Sequence, residues 1–472
     1  MMPPGGGNAR ADALATLRVL IHERATDSRL QDLFAQAENE ASSLDPWQTA
    51  NLREMRREWF RSTALPADLV EAVSRAETRS EQAWRELRAQ NDWQSFLPLL
   101  REVVHLKRQV AQALADPLQL DAYDALLDGY EPGARSEAIS PLFARLRSFL
   151  PSFIDRVTEE QKSRAVIVPK GPFPVERQHW LGLELMRRVG FDFSHGRLDS
   201  SHHPFCGGVP QDVRITTRYD VSDFAKSLMG VLHETGHAKY EQNLPSQWLS
   251  QPVGAARGMS VHESQSLLLE MQVCRSRAFL EFATPLIVEA FPDAARAQPA
   301  AFTVENLTRL ATRVERGFIR VDADEATYPC HVVLRFELEK SLISGELTVE
   351  QLPDAWDAAM QDLLGLSTAG NHRDGCMQDV HWPAGLFGYF PTYTLGALTA
   401  AQLFSAARTR VTGLLPSIAR GDLEPLDRWL REEVWSRGSL FETEALVRRA
   451  TGSALSTNAF ERHLQERYLP RG

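Results

Sequence analysis

Apolar residues recur at helical spacing along most of this chain. Leu14, Leu17, Leu20 and Ile21 place one apolar face on a helix over Ala11 to Glu23. Asp45-Pro46 opens a second helix that runs to about Thr63, proline being suited to the first helical turn. Leu65-Pro66 punctuates; a third helix begins near Ala67 and runs towards Gln90, and a fourth runs from about Trp93 to Leu114. These segments are long, amphipathic and laced with Arg and Glu, the pattern of antiparallel hairpins with a solvated outer face. Gly129 to Gly133 is a turn by its Gly and Pro content, and the helical period resumes from Ile139 to about Lys162.

The texture then changes. Ala165-Val166-Ile167-Val168, closed by Pro169, has the composition of a short strand. From Phe191 to Tyr219 the chain is rich in Gly, Pro, His, Ser and Asp, and within it Val213 to Thr217 is strand-like. A small β-element is therefore expected inside a mainly helical protein. From Val221 the helical pattern returns and persists almost to the end. No fixed-period repeat and no linker stands out, which favours one large helical body over separate beads. The expected organisation is a flexible tip over 1–10 and one domain over 11–472, with helical hairpins to about 163 and a main body from about 164.

Composition narrows the classes. The chain has 472 residues, 43% apolar and 24% charged, ordinary values for a globular protein with a large core. Its net charge of −10 argues against a nucleic-acid or anionic-membrane surface. Four cysteines without paired spacing read as reduced thiols of a cytoplasmic protein. The Pro- and Gly-rich start lacks the apolar core of a signal peptide, and no stretch approaches the ~20 apolar residues of a membrane span.

The strongest chemical signal is His233-Glu234-Thr235-Gly236-His237, inside a helical segment over Val221 to Glu241. Histidines at i and i+4 lie about 40° apart around a helix and about 6 Å apart along it, so both imidazoles reach one metal ion. The intervening Glu234 projects beside them and can take a proton from a water activated there. Glu263 lies 26 residues after His237. That length allows a loop over Leu244 to Gly258 and a second helix facing the first. Two His and one Glu with a fourth position open make a hydrolytic zinc site. His262 is the rival ligand, but a helix sets it about 100° from Glu263, so only one of the two points at the metal.

Further motifs accompany this one: His203-Pro204-Phe205, Asp212-Val213-Arg214-Ile215-Thr216, His262-Glu263-Ser264-Gln265, Ile319-Arg320-Val321-Asp322-Ala323-Asp324, and Gly375 to Trp382 with Gln378-Asp379-Val380-His381-Trp382. In this order they match the HPF, DxRxT, HESQ, IRxxAD and GxxQDxHW motifs, and the chain resembles the carboxypeptidase Taq family of zinc metallocarboxypeptidases. The resemblance covers nearly the whole chain. It implies a mainly α, zincin-like fold with a small β-sheet beside a deep groove. It implies broad-specificity release of C-terminal residues from peptides, Zn²⁺ or in some relatives Co²⁺, and a homodimer. It also makes Glu263 the third ligand beside His233 and His237.

On this reading Glu234 is the general base. Tyr389 and His381 are candidates for the donor that steadies the developing oxyanion. An exopeptidase needs a cation for the substrate's terminal carboxylate. Arg suits it because the planar guanidinium binds carboxylate through two parallel hydrogen bonds. Arg320 and Arg214 are the candidates; the structural alternatives are pairs with Asp324 and Asp212. His203 is a candidate for shaping the groove. Gln378 and Asp379 are candidates for orienting a ligand imidazole, and Trp382 reads as packing. The competing reading is a zinc endopeptidase or oligopeptidase with the same HExxH plus Glu. It would have no need of a carboxylate clamp.

Overall fold

The computed structural model describes residues 13, 16–17, 20–201 and 204–469. The first expected helix falls partly outside them; its described residues from Leu20 to Ala25 are helical. The hairpins follow as α1 (Arg29–Asn39), α2 (Pro46–Thr63), α3 (Ala67–Ala89), α4 (Trp93–Leu118), α5 (Ala122–Leu127) and α6 (Ser136–Gln161). Asp45 starts α2 with a reciprocal cap. Its carboxylate accepts from the amides of Trp47 and Gln48, and its own amide donates to Gln48 Oε1.

α7 (Val175–Arg188) leads into β1 (Gly196–Ser200), β2 (Phe205–Val209) and β3 (Asp212–Thr217). The sheet order is β1-β3-β2, with β1 parallel and β2 antiparallel to the central strand. The small expected β-element is therefore present. Alternation along β3 buries Val213 and Ile215 against Met186 of α7 and against Val231 and Ala238 of the next helix, while Arg214 stays exposed. The other expected strand is not one. Ala165 to Val168 runs extended and unpaired, and the side chain of Asn306 takes the place of a neighbouring strand. Asn306 accepts from the Ile167 amide at 2.8 Å and donates to the Ile167 carbonyl at 2.8 Å.

The remaining helices are α8 (Phe224–Gln242), α9 (Met259–Leu267), α10 (Arg277–Ala290), α11 (Pro292–Ala297), α12 (Val304–Ala311), α13 (Tyr328–Ser344), α14 (Leu352–Leu364), α15 (Pro391–Arg410), α16 (Leu414–Ala419), α17 (Glu424–Glu433), α18 (Thr443–Thr451) and α19 (Asn458–Tyr468). α9 runs on as a wider-wound segment, Leu268–Cys274.

The apolar stripes of the hairpins do not close on themselves. Phe96, Leu100 and Val103 of α4 and Phe143, Leu146 and Leu150 of α6 bury against Val333 and Phe336 of α13 and Trp356 and Met360 of α14. A second core joins Leu181 of α7, Leu228 and Leu232 of α8, Val261 of α9, Phe279 of α10 and Leu430 of α17. α15 belongs to both, through Leu395 and Leu398 on one side and Ala400 and Leu403 on the other. All four cysteines are free thiols. No helix among the described residues is long and apolar enough to cross a membrane.

Candidate metal centre

α8 begins where Asp223 accepts hydrogen bonds from the amides of Ala225 and Lys226, and it carries His233 and His237 on one face. α9 crosses it closely because residue 236 is glycine. A Cβ there would stand 2.5 Å from Gln265 O and Ser266 Cα. The start of α9 is fixed from outside, since Gly258 offers no capping side chain. The Tyr130 carbonyl accepts from Met259 N at 2.9 Å, and Glu131 Oε2 accepts from Ser260 N at 2.8 Å. The hairpin turn thus supplies both partners and a carboxylate to the positive end of the helix that carries Glu263.

This crossing brings three ligand atoms together. Each of His233, His237 and Glu263 offers one, all within 4.8 Å of one another. Glu263 Oε2 lies 3.3 Å from His237 Nε2 and 3.9 Å from His233 Nε2. The far ring nitrogens are engaged elsewhere. His233 Nδ1 is 3.0 Å from Glu270 Oε2, whose other oxygen is held by Arg275 at 2.7 Å. His237 Nδ1 is 2.6 Å from His262 Nδ1, and His262 Nε2 is 2.8 Å from Glu241 Oε1. Both Nε2 atoms are left facing the carboxylate, and this donor set suits a divalent metal with one open position. His262 therefore faces a ligand ring and not the ligand cluster.

Burial works against charge on Glu263, yet the histidines around it hold its carboxyl down at about 2. Burial also opposes the His233 cation, but Glu263 and Glu270 outweigh it and raise the ring to about 10. Burial and the neighbouring His262 lower His237 to about 4. Burial, with Glu263 and Glu270 nearby, raises Glu234. The carboxylate of Glu234 has no hydrogen-bond partner among the described residues.

A second charged group is built around Arg320. Arg320 is only 4% exposed. Its Nε and Nη2 donate to Asp379 Oδ1 at 3.2 and 2.9 Å, and its Nη1 donates to Tyr328 OH at 2.6 Å. It does not pair with Asp324, which accepts instead from the amides of Ala326 and Thr327 just ahead of α13. Asp379 also accepts from Arg335 Nε and Nη2 at 2.9 and 2.6 Å. One carboxylate serves two buried guanidinia, which hold it well below the usual carboxylate range against the effect of burial. Burial and Arg320 in turn push Arg335 down to about 10.

Tyrosines pack around this group. Arg320 lies 4.9 Å from the ring centre of Tyr393, and Tyr389 packs edge-on against Tyr393 at 5.3 Å. Burial first and the Glu263 charge second raise Tyr389 to about 12, so its hydroxyl stays a donor at neutral pH. His381 Nε2 lies 3.0 Å from Tyr393 OH. Burial, Arg320 and Arg335 lower His381 to about 3, which keeps the ring neutral.

Gln378 and Asp379 orient no ligand imidazole. Gln378 accepts from Arg320 N and donates to Phe318 O and Asp374 O. The imidazoles are oriented by Glu270 and His262, which sit on the helix that crosses them. Arg214 lies on the exposed face of β3 with Asp212, Nη2 to Oδ2 2.7 Å. His203 lies outside the described residues. Trp382 is buried and donates to Glu339 Oε1 at 2.8 Å, as a packing residue would. Glu241, Glu270, Arg275, Arg335, Tyr328 and Tyr393 were not found by sequence reasoning. For Glu241 a signal existed, because it continues the His233, His237 series by one more helical turn.

The family model for carboxypeptidase Taq (M32) metallopeptidase matches residues 1–468. The chain is 41% identical to thermostable carboxypeptidase 1 of Thermus thermophilus, over 99% of this chain and 92% of that one. Its structure superposes on Trypanosoma cruzi metallocarboxypeptidase 1 with a TM-score of 0.96 at 45% identity, covering 99% of this chain and 93% of that one. For the M32 carboxypeptidase of Deinococcus radiodurans R1 the values are 0.93 and 36%, covering 99% and 93%.

Proposed function

The chain belongs to the carboxypeptidase Taq (M32) family and is a metallocarboxypeptidase, a peptide hydrolase that uses a divalent metal; from that premise we propose that His233, His237 and Glu263 hold Zn²⁺, with Co²⁺ an alternative, and that Glu234 is the general base. The observation that carries this reading is the convergence of the Nε2 atoms of His233 and His237 on Glu263 Oε2, with a Glu234 carboxylate that has no partner among the described residues. When bound, the metal supplies Lewis-acid polarisation of the scissile carbonyl and a more acidic water. Glu234 accepts the proton of the attacking water and returns it to the leaving amine.

Arg320 receives the substrate's C-terminal carboxylate. Of its five N–H donors, three are taken by Asp379 and Tyr328, leaving one on each Nη for a planar anion. Asp379 and the surrounding rings hold the guanidinium in place. Tyr389 donates to the developing oxyanion, and neutral His381 fixes the neighbouring Tyr393. Arg214, paired and exposed, contributes to the outer wall, and His203 to the shape of the groove. The reading extends to broad C-terminal specificity and a cytoplasmic homodimer. Support for these lies in the family resemblance and, for the compartment, in four unpaired thiols.

One assay tests this. A short N-blocked peptide with a free C-terminus is compared with its C-terminal amide, with and without chelator. Release of the last residue from the free acid alone, abolished by chelator and restored by zinc, is expected. Equal cleavage of both peptides overturns the Arg320 clamp, and chelator-resistant turnover overturns the metal assignment.

A further inference from the structure

Two imidazole nitrogens 2.6 Å apart, His237 Nδ1 and His262 Nδ1, share one proton, and the neighbours of the pair decide which ring donates it. His262 Nε2 lies 2.8 Å from Glu241 Oε1. A carboxylate only accepts, so Nε2 of His262 carries hydrogen. Nδ1 of that ring then accepts from Nδ1–H of His237. Nε2 of His237, 3.3 Å from Glu263 Oε2, is then the nitrogen that would present a lone pair to a bound metal. The reverse arrangement would place hydrogen on Nε2 and remove it as a ligand.

We propose that His262 is a positioning residue that fixes His237 in its ligand tautomer, relaying the hydrogen bond to Glu241. The proposal rests on the metal reading given above. It assigns work to two residues that the ligand set and the general base leave unexplained. It also separates the two histidines. His233 donates directly to a carboxylate, Glu270, already held by Arg275. His237 reaches its carboxylate only through a second ring. The rings of His237 and His262 are 4.7 Å apart, and Tyr240 backs His262 at 5.5 Å, so packing holds the relay in register.

The test measures metal binding by the full-length apoprotein, using Zn²⁺ in competition with a chelator and the absorption spectrum of the Co²⁺ form. His262→Phe keeps a flat ring and removes the acceptor; its Kd for Zn²⁺ is expected to weaken about 10–100-fold, the usual span for an outer-sphere partner, with a changed Co²⁺ spectrum. His262→Gln keeps an acceptor and a donor on one planar group and is expected within about threefold of the parent. Glu241→Met, which breaks the relay at its partly exposed outer end, is the second variant should His262→Phe not fold, and a loss of about three- to tenfold is expected. Parental affinity in the variant that folds overturns the relay. Equal losses in His262→Phe and His262→Gln assign His262 to packing and overturn it too. An unaltered parent chain that binds neither metal overturns the metal reading itself, a result distinct from failure of the relay.

Discussion

The Cβ that Gly396 lacks would stand 2.8 Å from both the Cβ and the Cγ of Glu263. α15 therefore packs its backbone directly on the side chain of the proposed third ligand and restricts where its carboxylate can lie. Gly396→Ala is expected to displace Glu263 at about 1–3 kcal/mol of overpacking strain. Metal Kd should weaken by roughly tenfold or more while the helical content is kept. An alanine variant with parental metal affinity would show that Glu263 is not held by this contact.

Glu234→Gln should separate binding from chemistry. The ligands are untouched, so zinc content and metal-dependent stabilisation should match the parent. Turnover of a free-acid peptide should fall about 10²–10⁴-fold, because the group that moves the proton is gone. Near-parental turnover would dismiss Glu234 as the base.

Asp379→Asn should be costly. It leaves Arg320 and Arg335 buried side by side without their shared anion, with a loss of about 3–5 kcal/mol in unfolding free energy. Whatever folds should bind free-acid peptides poorly, because Arg320 is no longer aimed. Urea unfolding and the KM for a free-acid peptide check the two halves separately. A stable variant with unchanged KM would refute both.

Glu339 predicts a pH dependence of stability. It is fully buried in α13 and accepts from Tyr123 OH, Trp382 Nε1 and Gly388 N. Burial nevertheless raises its pKa from 4.5 to about 7. A raised folded-state value favours the proton in the folded chain. Its stabilising contribution is thus full below about pH 4.5 and is lost as pH rises through about 7, a change of the order of 3 kcal/mol. Glu339→Gln should flatten that part of the difference between unfolding free energies at pH 5 and pH 8. An equal pH slope in parent and variant would assign the dependence elsewhere.

The convergence of His233, His237 and Glu263 was legible because it is local. His233, Glu234 and His237 lie within five residues on one helix, and Glu263 follows at a distance that one loop spans. The central strand was legible from its alternation, whereas Ala165 to Val168 misled because composition cannot reveal the absence of a neighbouring strand. The Arg335 to Asp379 pair was not legible, since nothing in either local pattern points across 44 positions. Glu270 was hidden for another reason. Its helix changes winding at Leu268, so the regular count from Glu263 does not describe its direction. The glycines at 236 and 396 look like weak points in helices, and only the crossing backbone and side chain show what they permit.

The apolar faces of α4 and α6 have a consequence for how the chain is made. Their partners in α13 and α14 lie far downstream, so the leading third leaves the ribosome before the helices that cover it. At about 5–20 residues per second, synthesis from Gln161 to Tyr328 takes roughly ten to thirty seconds. Throughout that interval Phe96, Val103, Phe143 and Leu150 lack the partners that bury them in the finished chain. A chain arrested near residue 163 should bind a hydrophobic dye strongly where the finished enzyme does not.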